Sequence, residues 1–204
     1  MTSSVPTNGP CFYEIGLKSN FSFLDGASHA EELVQQALDI GLDGIGLADV
    51  NTVAGVVRLH ASAKQKGLAF RPGARLVFAD DTPEMLAYPV DRKGWGHLCR
   101  LLSAGNLRSK KGVCTLYEED LLEWCENLCF VAIPPPLPKV ADAKAFKSRL
   151  QRLLPALKEK LHLALTPRHD GLDRKTFAEL EQIAHSLHLP LVATNDAMYH
   201  APER

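Results

Sequence analysis

The chain has 204 residues, enough for one domain with a sizeable core or two small ones. With 46% apolar and 23% charged residues, 14 Gly and 13 Pro, its composition excludes disorder, collagen and coiled coil. Lys+Arg number 23 against 24 Asp+Glu, so no global field gathers nucleic acid and any such contact needs a local patch. The five cysteines are odd in number and form no C-x-x-C, which points to reduced thiols packed as small hydrophobes. Residues 1–10 lack a basic region followed by an apolar run, and no later stretch approaches the roughly 18 apolar residues of a membrane span. A cytoplasmic protein with a flexible N-terminus is expected.

In chain order, short apolar runs alternate with amphipathic stretches, the order that builds βα units around a mostly parallel sheet or barrel. Phe12–Leu17 is the first strand. Ser28-His29-Ala30-Glu31 reads as a capping box for a helix carrying Leu33, Val34, Ala37 and Leu38, closed at Gly41. Gly44–Ala48 is a second, buried strand. After a polar turn at Asp49–Thr52, a helix presents Val53, Val56, Val57 and Ala63 inward and ends at Gly67. Further strands are expected at Arg75–Phe78, Met85–Tyr88, Leu128–Ile133, Leu161–Leu165 and Leu191–Thr194. Between them lie helices over Gly94–Asn106, through Phe146–Leu157 with Pro155 kinking or restarting it, and through Phe177–Leu187 with Asp173 as N-cap. Pro134–Pro138 is a rigid loop. This unit count fits a barrel slightly short of eight strands. The chain stops just after a strand, as a piece cut from a longer one would.

Active groups of βα barrels gather at the C-terminal ends of strands, so the residues after each apolar run are the candidates. These are Lys18–Asp25, Asp49–Asn51, Arg75, Pro134, Thr166–Asp170 and Asn195–Met198. Asp25, Asp49 and Asp196 are positioned to meet at one face, where a divalent metal is the usual reason to collect carboxylates. The histidines do not complete a cluster. His29, His60, His97, His185 and His188 fall on helices and His162 inside a strand, leaving His169 and His200 after strand ends. The basic loop Arg108-Ser109-Lys110-Lys111-Gly112 could touch a DNA backbone, but without interleaved aromatic residues it reads as a solvated turn. No phosphate-binding, nucleophile-elbow or dinucleotide fingerprint is present.

Four stretches in order, SNFSFLDGAS (Ser19–Ser28), LADVNTVAGVVRLH (Leu47–His60), RPGARL (Arg71–Leu76) and LVATNDAMYHAPER (Leu191–Arg204), resemble a known family. It is the N-terminal polymerase-and-histidinol-phosphatase (PHP) domain of bacterial C-family DNA polymerases, and the resemblance is greatest to the error-prone branch, paralogues of the polymerase III alpha subunit. It covers residues 11–204 and implies an α/β fold, a distorted seven-stranded, TIM-like βα barrel. Active members of the family hold a metal cluster and hydrolyse phosphoesters. Carried over position by position, the family's H-x-H falls on Gly16 and Lys18, and the Asp that follows is retained as Asp25. Asp49 is kept, but the His after it is Val50. The Glu of the G-x-E stretch is Arg75, and the terminal D-x-H is Asp196 with Met198. A further Cys or His position falls near Pro134.

Metal sites lose orders of magnitude in affinity with each ligand lost, so the resemblance implies no catalytic residues, metal or other cofactor in this domain, with Asp25, Asp49 and Asp196 as residual candidates for one weak ion. Lys18 and Arg75 would instead neutralise the retained carboxylates; the alternative is drift at a dead site with solvated side chains. The resemblance further implies a parent DNA polymerase that uses Mg²⁺ in damage-induced mutagenesis and translesion synthesis. Partners would be the remainder of that chain, DNA through the parent, and other translesion repair proteins or the sliding clamp. The alternatives are an active metal-dependent phosphoesterase or 3′ exonuclease, and a stand-alone metabolic barrel enzyme.

Overall fold

The computed structural model describes residues 11–136 and 140–203, so the expected flexible N-terminus and part of the proline-rich loop lie outside the described residues. β1 (Tyr13–Leu17) pairs in parallel with β2 (Gly44–Leu47), and β2 with β4 (Ala69–Arg71). A second sheet runs β3 (Asp49–Val50), β5 (Ala74–Leu76), β6 (Met85–Pro89), β7 (Leu128–Ala132), β8 (Leu161–Leu165) and β9 (Leu191–Ala193) in spatial order. β2 and β3 flank Ala48, and β4 and β5 flank Pro72 and Gly73, so these segments trace seven barrel strands, two of them interrupted. The seams β5–β6 and β6–β7 are antiparallel; the other pairings are parallel. The expectation of a mostly parallel sheet therefore needs one correction. Residues 77–84 between β5 and β6 are too few for the helical crossover that a parallel pair requires.

The ends of the chain of strands meet without a ladder. Glu14, almost fully buried, accepts hydrogen bonds from the Gly16 N–H at 2.7 Å, the Asn195 N–H at 2.7 Å and the Thr194 hydroxyl, so one carboxylate joins β1 to the segment after β9. β1 carries a register shift between Glu14 and Leu17 in its pairing with β2. The barrel interior is filled by Ala48, Leu86, Val131, Ile133 and Ala164, with Ile15, Tyr88 and Val192 against them. The Tyr88 hydroxyl donates to the Ile15 carbonyl, and burial pushes its pKa well above the usual phenol range.

Outside the barrel, α1 (Ala30–Asp39) and α2 (Val56–Lys66) bury Leu33, Val34, Leu59 and Ala63 against Ile45 and Leu47. α3 (Arg92–Leu107), α4 (Glu118–Glu123), α5 (Val140–Leu157) and α6 (Asp173–Leu187) enclose the larger core around Leu98, Leu101, Phe130, Phe146 and Leu163. Gly67 ends α2 at φ 74°, with its N–H on the Ala63 and Lys64 carbonyls, a conformation that costs glycine nothing. Three local expectations are corrected. The cap of α1 lies one residue later, with the His29 N–H donating to Glu32 at 2.8 Å, because Ser28 is engaged by His200. Val57 points to solvent while Val56 packs, and Val53 precedes the helix. Asp173 is the first helical residue rather than the cap, and its carboxylate accepts from the Arg168 and His169 N–H groups. α5 continues through Pro155 and ends two residues later at Leu157, so the helix stops within a turn of the missing N–H. α4 was invisible to periodicity, being too short for a stripe. All five cysteines are free, and Cys125 and Cys129 are separated by the loop into β7.

Candidate functional site

At the C-terminal mouth of the barrel lies a cleft of about 650 Å³. Lys18 follows β1, Arg75 lies in β5 and Asp196 follows β9, and the topology brings all three to this cleft. The Arg75 guanidinium, 4% exposed, forms ion pairs with Asp196 and Glu84. The Lys18 side chain is also buried, and its Nζ lies 2.9 Å from Asp25 and 3.9 Å from Asp196. Two fixed cations thus hold three carboxylates from three separate loops. Burial strengthens these attractions, and the paired geometry offsets the cost of taking the charges out of water.

Glu84 was missed by the sequence reading, which inspected only residues after strands. β6 runs antiparallel, so its N-terminal end shares the rim with the C-terminal ends of its neighbours, and Glu84 immediately precedes it. The signal available was the short connection before Met85. Asp49, by contrast, does not join the network. It is fully buried and accepts hydrogen bonds from the Ser19 N–H at 2.7 Å, the Ser19 hydroxyl at 2.8 Å and the Ser22 hydroxyl at 2.7 Å. Neutral donors satisfy it, so the expected meeting of Asp25, Asp49 and Asp196 is corrected to Asp25, Asp196 and Glu84. Val50 and Pro134 line the cleft, and the Pro134 carbonyl accepts from Arg168 at 2.9 Å. Met198 is 40% exposed, and its carbonyl takes the Ala27 N–H.

Gly16 occupies the most confined of these positions. A Cβ there would stand 2.7 Å from Thr194 Oγ1 and 2.9 Å from the Asp196 Cα, so the segment after β9 runs through the volume that a side chain would need. The backbone bonds Lys18 N–H to Ala197 O and Ala27 N–H to Met198 O, at 3.0 and 3.1 Å, hold that segment in place. Among the described residues, no group of three or more His, Cys, Asp and Glu side chains is arranged to hold a metal ion. The donor set does not fit a metal cluster: an ammonium and a guanidinium stand among the carboxylates, and the backbone closes the place of a further ligand. Arg75 Nε and Thr166 Oγ1 are the buried side-chain polar atoms without a partner among the described residues.

The PHP domain family model matches residues 15–165. An error-prone DNA polymerase of Sinorhizobium medicae is 54% identical over 192 residues, covering 94% of this chain and 17% of the relative. One from Caulobacter vibrioides is 41% identical over 195 residues, covering 96% and 18%. This chain therefore spans about a sixth of the length of the curated relatives it matches. Among solved structures, a protein of Bifidobacterium adolescentis described as a metal-dependent phosphoesterase superposes with a TM-score of 0.62 at 16% identity, covering 94% of this chain and 88% of that one. An amidohydrolase of Chromobacterium violaceum gives 0.60 at 14% identity, covering 93% and 88%. At such identities these two report the fold, a distorted TIM-like barrel. No described helix is long and apolar enough to cross a membrane. The chain belongs to the PHP domain family, and its sequence is homologous to the N-terminal region of error-prone DNA polymerases.

Proposed function

We propose that this chain is a catalytically degenerate PHP domain of an error-prone DNA polymerase, in which fixed cations do the structural work that metals do in active members. The observation that carries this reading is the pairing of Lys18 and Arg75 with Asp25, Glu84 and Asp196 at the barrel mouth, where the Gly16 position has no room for a ligand side chain. The network ties the segment after β9 to β1, β5 and the loop before β6. The domain's work is then structural and interactive, in the cytoplasm. It supports the remainder of a polymerase chain that uses Mg²⁺ in damage-induced translesion synthesis, with DNA met through that parent chain and with other translesion repair proteins or the sliding clamp as further partners.

Elemental analysis, melts in EDTA and in excess Mn²⁺ or Zn²⁺, and hydrolysis of nitrophenyl phosphoesters test the reading. An ion bound by the native state alone must raise the melting temperature. Substoichiometric metal, unchanged melts and no hydrolysis are expected. Two or three bound metals, a melt that collapses in EDTA and phosphoester cleavage would overturn it in favour of an active phosphoesterase.

A further inference from the structure

Two surface segments that this function leaves unused meet on the barrel rim. The loop after β1 raises Phe21 and Phe23, 38% and 86% exposed, and Leu24 beside them has a φ of 63°, a conformation a bulky side chain adopts only under constraint. Across from them runs the basic loop after α3. Phe21, Phe23 and Val113 line one groove of about 800 Å³, together with Thr52, Ser103 and Asn106, and no carboxylate lines it. Lys110 and Lys111, in the same loop as Val113, are exposed and form no ion pair among the described residues. Arg108, by contrast, is spent on Asp120 and on the Tyr117 ring.

The sequence alone showed a basic loop without aromatic residues. The fold supplies them from a segment some 90 positions earlier. We propose that this groove binds a single strand of nucleic acid, with bases stacked on Phe21 and Phe23 and phosphates on Lys110 and Lys111. A groove with exposed rings and no carboxylate in its lining, bordered by a loop whose unpaired Lys110 and Lys111 stand just outside that lining, matches a ligand that presents flat π faces and a regular row of negative charge. A duplex hides those faces within its stack. The inference rests on the polymerase reading only for which nucleic acid the chain would meet, and its assay is independent of metal content and phosphoesterase activity.

Fluorescence anisotropy of the 204-residue chain with a labelled oligothymidylate and a blunt duplex of equal length, across a salt series, tests it. The single strand is expected to bind more tightly than the duplex. Phe23→Ala should weaken it about tenfold. Lys110→Ala/Lys111→Ala should flatten the slope of log affinity against log salt by about 1.4, the value for two phosphate contacts on a single strand. Both variants alter exposed side chains, and their melting curves should match the parent. Equal affinity for the duplex, or an unchanged affinity in Phe23→Ala, overturns the proposal. If Phe23→Ala impairs primer extension by the longer polymerase but not oligothymidylate binding, the loop docks protein and the nucleic-acid assignment falls.

Discussion

Arg75→Ala is the most direct test of the ion-pair network. The variant removes a cation whose side chain is 4% exposed and strands two carboxylates, Asp196 at 21% exposure and Glu84 at 37%. Breaking a buried pair by deleting one partner costs about 3–5 kcal/mol, because an uncompensated charge stays out of water. Glu84 is more than a third exposed and recovers much of its solvation, so its share belongs near the surface-pair range of about 0–1 kcal/mol. Asp196 keeps Lys18 at 3.9 Å as a distant counter-charge. The balance is a loss of about 3 kcal/mol, at the lower end of the buried-pair range. For a chain of this length that lowers the melting temperature by about 6–12 °C. Urea and thermal melts in EDTA measure it, and a double-mutant cycle with Asp196→Ala should return a coupling of about 1–3 kcal/mol. A loss below about 0.5 kcal/mol, the range of ordinary surface substitutions, would refute the reasoning. So would an EDTA-induced drop in the parent as large as that of the variant, since a metal would then be holding the carboxylates.

Glu14→Gln turns an amide N–H toward the donors from which the carboxylate now accepts, two of which, Thr194 and Asn195, cross the β1–β9 seam, and should cost about 2 kcal/mol in urea melts while raising hydrogen exchange across residues 194–198; unchanged exchange there would remove Glu14 as the closure. Gly16→Ala forces a methyl group against Thr194 Oγ1 and the Asp196 backbone, and should cost about 1–3 kcal/mol, measured as a lowered urea midpoint; a neutral variant would show the seam to be open. The Arg152 guanidinium beside Asp81, the Gly94 N–H on Asp91 and the Arg168 N–H on Asp173 hold these carboxyls below the usual carboxylate range. A lowered folded-state value means that their contribution is complete above the unfolded value of about 3.9 and is lost as pH falls through the folded values. The urea midpoint should therefore fall below about pH 4, and a midpoint that rises on acidification would contradict the pairing.

Periodicity alone determined most of the frame. β1, β2 and β5–β9 lie within a residue or two of their apolar runs, and the stripes of α3, α5 and α6 pack as their spacing requires, as does that of α1 except for Leu38, which is exposed, because burial of one face is a local property of sequence. It also placed Lys18, Asp25, Arg75 and Asp196 at strand ends that a barrel must gather. What it left undecided depended on neighbours distant in the chain. The orientation of β6 brought Glu84 to the mouth, and the two serines near β1 took Asp49 out of the charge network. Glu14 read as an ordinary strand residue until β9 came to lie beside it. Ser28 lost its capping role to His200, and Phe21 and Phe23 met the basic loop only across the rim. Each of these outcomes is a competition among partners for one hydrogen bond, one charge or one volume, and only the tertiary structure brings the competitors within reach.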